Sequence, residues 1–524
     1  MASVLQWFLL SAILVGPVAG AFISGQNGSP RKPQTAASRN VPDGTTKERS
    51  LELASLTANV RSLPPEFAAD LLIAIADSAR VAESDWKKEL IEEAFRIASD
   101  CQYQISQRSV GPYPVDTRAG YLGEAFRLKL DALSLRCRAV EAMIRLDKAK
   151  ALQLFGEIGK LKFSPVTCDQ GLVYEVSAFY KTAAQLFRVA FSGKERQRGE
   201  HVRFIESLID DTSSPVQIPS AVNLVRSLEM SREQRESLVT ALASRIAKLS
   251  GDDRTFSSSI YSVDDEIARL LHTCNEQGVS AIELIRSLRS YYVKHFSANR
   301  CSDTLRNAGD TGPLPHEVNQ FNKRVRALTE KNLSEIEADE VKPSRTEGRA
   351  DVHFYWRSPR SQKLMERFKQ LKFGSGRKPF TAAETDTVEW RTEFGEFLKQ
   401  LLAWDKNDDE SVEDYFHQKC NLFEGLMNIP LAAVEREEVT REFVAFLGRF
   451  DLKSLSRIEW FWHAKSLLPR ALTQDVGERS AKRRADLESS NNLVLYAYAE
   501  VWKTLSSQPK ENAQPANGKP ARDP

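Results

Sequence analysis

Residues 63–101 read LPPEFAADLLIAIADSARVAESDWKKELIEEAFRIASDC, and their periodicity decides the fold class. Pro64-Pro65 stop what precedes them, and Pro65 can sit in the first turn of a helix, where its missing N–H costs little. Phe67, Leu71, Ile75 and Ala79 recur every four residues with Leu72 beside them, which places one apolar stripe along a helix. Glu66 and Asp70 put negative charge near the positive end of its dipole. A polar turn, residues 80–83, leads to Ser84 as N-cap of a second helix. That helix carries Trp86, Leu90, Ile91, Ala94, Phe95, Ala98 and Cys101 on a broader face, with Glu92 and Arg96 able to pair outside. Neither helix can bury its stripe alone, so the two must pack on each other and on neighbours.

The same pattern recurs along the chain. Residues 47–62 begin a helical body with Leu51, Leu53, Leu56 and Val60. After a loop at Gly111, Pro112 and Pro114, with Asp116 as a cap, residues 118–159 are helical in period. Leu130, Leu133, Leu135, Val140, Met143 and Ile144 form one face, and Asp147 caps a helix over 148–158. Residues 146–158, LDKAKALQLFGEI, resemble a repeat helix of tetratricopeptide-like or HEAT-like arrays. The fuller tetratricopeptide pattern of Trp, Gly, Tyr, Ala and Pro is absent and no fixed period emerges, so the reading is of an architecture and of no family. Further helices are predicted over 172–191, 194–209, 221–229 and 232–249. A hairpin over 263–277 and 279–297 turns at Gly278, with Ser231 and Asp264 as caps. Leu284, Leu288, Tyr291, Tyr292 and Phe296 stripe its second arm.

The expected fold class is all-α, built as stacked helical hairpins in an α-solenoid or helical-repeat manner. Residues 1–21 read as a signal peptide: the apolar run 4–15, the break Gly16-Pro17, then small residues Ala19-Gly20-Ala21, although no Lys or Arg precedes the run. An uncleaved anchor is the alternative, but the run is short for a membrane span. Residues 22–46 are expected to form a disordered linker, 47–300 an N-terminal helical-repeat domain, 301–358 an irregular linker or insertion, 359–506 a C-terminal helical domain and 507–524 a disordered tail. Within 359–506, helices are predicted over 362–372, 387–404, 412–427, 431–447, 452–468 and 487–505.

At 41% hydrophobic and 27% charged residues the chain is globular, and a net charge of +2 argues against a dedicated nucleic-acid binder. The six cysteines, Cys101, Cys137, Cys168, Cys274, Cys301 and Cys420, form no CxxC pair. Export permits three disulfides, while Cys101 at the end of an apolar stripe suits a buried thiol, and both readings stand.

Candidate chemistry reads weakly. Residues 405–410 open like a calcium loop, but Glu410 stands where Gly is needed and Phe416 where Glu is needed, which leaves a solvated connection. His417 and Cys420 lie three apart on one helix face, as metal ligands can, with no second pair to complete a site. His272 and Cys274, two apart, diverge on a helix. Trp460-Phe461-Trp462 beside His463 reads as core with a boundary Trp, and Phe354-Tyr355-Trp356 beside His353 as a linker docking element. Lys482-Arg483-Arg484 is surface, and Gly374-Ser375-Gly376 has Pro379 where a dinucleotide fingerprint needs Gly.

No catalytic, cofactor-binding or metal-binding residue is therefore assigned, and no cofactor is expected. The expected function is that of an exported scaffold, secreted or periplasmic, whose partner is another protein, with no nucleic acid and no membrane span once the leader is removed. The alternative is an exported (α/α)-toroid enzyme acting on carbohydrate through paired carboxylates, with Trp and Tyr beside them.

Overall fold

Helix packs on helix along the chain, because each apolar stripe needs a partner surface. A computed structural model describes residues 44–506 apart from 110–116, 165, 167–171, 254, 299, 302–313, 328–332, 342–345, 348–357, 375, 377, 409, 451–454 and 469–491. The leader, most of the linker at 22–46, the tail, Asp116, the Phe354 cluster and the Lys482 cluster lie outside the described residues. Residues Glu52–Pro524 form one unit and Met1–Leu51 another.

The chain is all-α. Its first group of helices is α1 (Gly44–Arg61), α2 (Pro65–Asp77), α3 (Ser84–Ile97), α4 (Thr117–Phe126), α5 (Ala132–Ile144), α6 (Lys148–Ile158) and α7 (Ser177–Val189). Pro65 stands in the first turn of α2, and its stripe residues Phe67, Leu71, Leu72 and Ile75 are buried. Asp131 and Asp147 cap α5 and α6 through the amides of Ser134 and Lys150. Helix α2 packs on α3, α3 on α5, α5 on both α6 and α7.

The second group is α8 (Gly193–Gln197), α9 (Glu200–Asp210), α10 (Ile218–Ser227), α11 (Arg232–Lys248), α12 (Thr255–Glu276), α13 (Ile282–Ser297) and α14 (His316–Ala327). Ser231 caps α11 in a reciprocal box with Gln234. Gly278, at φ +65°, makes the left-handed turn between α12 and α13. Packing here runs between alternate helices, α9 on α11 on α13 and α10 on α12.

The third group is α15 (Pro359–Phe373), α16 (Ala382–Thr385), α17 (Val388–Leu402), α18 (Val412–Met427), α19 (Ala433–Arg449), α20 (Arg457–Ala464) and α21 (Asn492–Ser506). Helix α15 packs on α17 and α18, and α18 on α19. Helices α20 and α21 then reach back to earlier helices, α20 against α4 and α21 against α2. Phe461 lies with its ring centroid 5.0 Å from that of Phe67 and 4.6 Å from that of Tyr498. The Tyr498 hydroxyl donates to Asp70 Oδ2 at 2.6 Å, and Arg457 Nε pairs with Glu66 Oε1 at 2.8 Å.

Strand content among the described residues is slight. β1 (Gln107–Ser109) pairs antiparallel with β2 (Leu172–Tyr174), Gln107 opposite Tyr174, and β3 (Arg300–Cys301) runs parallel to β4 (Thr346–Glu347).

Several local expectations change. The helix predicted over 172–191 starts only at Ser177, because Leu172 to Tyr174 are taken by the ladder with β1. Ser84 is the first residue of α3 and not its cap; the capping position is Glu83, without a side-chain bond. Asp264 lies inside α12 and accepts from the Tyr292 hydroxyl at 2.6 Å. Glu92 pairs with Lys150 of α6 at 3.2 Å, while Arg96 bonds the Glu92 carbonyl. Leu51 is exposed although Leu53, Leu56 and Val60 are buried. Cys101, Cys137, Cys274 and Cys420 are buried free thiols; the side chains of Cys168 and Cys301 lie outside the described residues. Among the described residues, no helix is long and apolar enough to cross a membrane.

Candidate functional site

Helix α18 begins at its N-cap Ser411, which accepts from the Asp414 amide. From there His417, Asn421 and Glu424 follow at spacings of four and three, so they share one face. Helix α20 is capped by Ser456 and presents Glu459 and His463, four apart, to that face. Helix α4 adds Tyr121.

The four ionisable groups form one line of hydrogen bonds. Glu459 Oε1 meets His417 Nε2 at 3.0 Å, His417 Nδ1 meets His463 Nε2 at 2.9 Å, and His463 Nδ1 meets Glu424 Oε1 at 2.9 Å. Both imidazole side chains are 0% exposed, Glu459 is 10% exposed and Glu424 26%, so the line runs from the interior outward. Tyr121 stacks on His417 with centroids 4.2 Å apart and planes 19° apart, and its hydroxyl accepts from the Asn421 amide. Trp462 lies edge-on to His463 with centroids 4.5 Å apart, and Phe416 edge-on to it at 5.5 Å.

At the outer end, Glu424, Met427, Asn428, Trp462 and Ser466 line an open cavity of about 270 Å³. A second crevice, against Val263, Ile267 and Tyr292, holds about 20 Å³ of mostly apolar space, roughly the room of one water.

Burial sets the electrostatics. It pulls the His417 pKa below the ordinary imidazole value, opposed by the bond to Glu459 and reinforced by the neighbouring His463. Burial raises the Tyr121 phenol and the Cys420 thiol, holding both neutral. On the far side of α18, Lys419 is enclosed, donating to the Trp404 carbonyl and the Tyr415 hydroxyl, and burial lowers it to about 8.

The residues singled out from sequence fall as follows. His417 does not join Cys420 in a ligand pair; its two ring nitrogens are engaged by Glu459 and His463. Among the described residues no group of three or more His, Cys, Asp or Glu is arranged to hold a metal ion. His272 pairs with Glu276 at 3.2 Å on the surface while Cys274 is buried, so the two diverge as expected. Trp460, Phe461 and His463 are buried and Trp462 is half-buried, as a core-and-boundary reading requires. In the acidic run, residues 405–408 are exposed, but Glu410 is buried and accepts from the Trp404 indole at 3.3 Å, so its end is packed and not solvated.

Sequence reasoning reached two members of the line, His417 and His463, for other reasons and did not join them. Glu459 and His463 at i and i+4, with His417 and Glu424 at i and i+7, were the available signal. Their pairing across 46 residues of chain was not readable from either segment alone. Chemically, the arrangement can pass or share a proton between the cavity and a buried carboxylate. Compared with protein-family models, with curated proteins and with solved structures, the chain matches none.

Proposed function

We propose that the chain is an exported helical-repeat scaffold that binds another protein. The observation that supports it most is the packing of alternate helices, α3 on α5 on α7, α9 on α11 on α13 and α10 on α12, the contact pattern of stacked hairpins. Helices α20 and α21 cover α4 and α2 at the beginning of that stack, in the manner of a terminal cap. Export rests on the apolar leader at 1–21. A candidate contact surface lies where α17 and α19 begin: Val388 is 74% and Val434 77% exposed, and Arg391 ties the two helix starts together through Asp386 and Glu435.

The enzyme reading draws on Glu424 and Trp462 at the mouth of one cavity, the residue types a carbohydrate site needs. It is the weaker one, since Glu459, the second carboxylate, stands behind two imidazoles and not across the cavity from Glu424.

The test is affinity capture from an exported fraction of the source organism, with the native chain and a Val388→Asp/Val434→Asp variant side by side. A protein recovered by the native chain and lost by the variant supports the reading. Release of reducing sugars from polysaccharide by the purified chain, abolished by Glu424→Gln, replaces it with the enzyme.

A further inference from the structure

The line Glu459–His417–His463–Glu424 contains three hydrogen bonds, and each needs one proton between its two heavy atoms. Two neutral imidazoles supply two. The third must come from a charged imidazole or a protonated carboxyl, so the line holds one proton more than two neutral rings and two carboxylates carry. Its central bond is the most demanding. A carboxyl can take an added proton on its outer oxygen and still accept an N–H on the inner one. The space between His417 Nδ1 and His463 Nε2, 2.9 Å, accommodates a single proton. If both rings are charged, two N–H groups face each other across that gap and the bond becomes a repulsion.

Among the described residues, the groups facing the pair come from three helices. Helix α18 supplies Asp414 and Glu424, α20 supplies Glu459, and α4 supplies Tyr121, on whose phenol Cys420 of α18 also acts. Tyr121 is held by the stack on His417 and by Asn421, so the contact between α4 and α18 runs through the titrating ring itself. Trp462 touches both Tyr121, at 5.7 Å, and His463. Glu424 gives the line its opening to the cavity and hence to solvent protons.

We propose that the His417–His463 pair is a proton-operated latch, which holds α18 and α20 against α4 while at most one ring is charged and releases them when both are. The ligand of this site is the proton, and the response is loosening of α4 on acidification. This stands apart from the scaffold reading: the latch can work whatever the chain binds, and a failed partner capture leaves it untouched.

The experiment is hydrogen exchange read by mass spectrometry on peptides from α4 and α18 of the full chain, at about pH 7.5 and about pH 5, with the intrinsic pH dependence of exchange removed. The comparison is His463→Gln, whose side chain donates and accepts but does not titrate. The native chain should lose protection by more than about fivefold on acidification, and the variant by less. A native change below about fivefold, or a variant change as large as the native one, overturns the latch. Should His463→Gln not fold, ring-labelled histidine NMR of the native chain replaces it. Charging of the second ring of the pair should then share its midpoint with the loss of protection, and midpoints more than about one pH unit apart overturn it.

Discussion

At the scale of single residues, the fold carries three buried charged or titrating side chains whose costs can be read directly. Glu66 is fully buried on α2, and its partner Arg457 comes from α20, across nearly the whole chain. Removing one member of such a pair strands the other, which typically costs about 3 kcal/mol. Arg457→Ala should therefore lower urea stability by about that much, with Glu66→Gln/Arg457→Ala recovering part of it. Lys419 is the opposite case. Its folded pKa of about 8 lies below the unfolded value near 10.5, so the unfolded chain binds the proton more readily between those values. The stability tied to the neutral amine is present above the unfolded value and is lost as pH falls through about 8. Native stability relative to Lys419→Met should thus rise by about 2 kcal/mol between about pH 7 and pH 9.5, measured by urea denaturation at each pH. His417 follows the same sign: burial favours the neutral ring, so its contribution is present above about pH 6.5 and falls away on acidification.

At the scale of elements, most helices were legible and their neighbours were not; α14 lies inside the segment read as irregular, and the helix read over 194–209 is broken at Gly199. The stripe of α2, the caps Asp147 and Ser231 and the turn at Gly278 all follow from local spacing, because 3.6-residue periodicity and capping are properties of one segment. Asp264 failed as a cap because a tertiary partner, Tyr292, claims its carboxylate inside a longer helix. Residues 172–174 failed as helix because Gln107 to Ser109, far upstream, offer them a ladder. The line at His417 belongs to the same class: each half is visible, but the joining requires the fold. Close approach is likewise a tertiary fact. A Cβ on Gly425 of α18 would lie 2.5 Å from Phe368 Cζ of α15, so the two helices meet there through a missing side chain. Gly425→Ala should displace that ring and lower stability by about 1–3 kcal/mol by thermal melting, against a gain were the position merely helical surface.

At the scale of the molecule, the consequence is that the last helices stabilise the first. Phe67, Phe461 and Tyr498 form an aromatic contact between α2, α20 and α21, flanked by the pairs Glu66–Arg457 and Asp70–Tyr498. Beside it, α20 and α18 meet α4 through Tyr121 and the imidazole pair. The sequence divides at 301–358 by composition, yet the strongest chemistry of the molecule lies where its late helices touch its early ones. The early helices α2 and α4 thus keep their places only while α20 and α21 stay packed on them. A double-mutant cycle of Phe67→Ala and Phe461→Ala, followed by urea denaturation, reads that contact most directly. Coupling of about 1 kcal/mol between the two substitutions is expected for rings in edge or tilted contact. Strict additivity would contradict the contact of α20 with α2 through these rings.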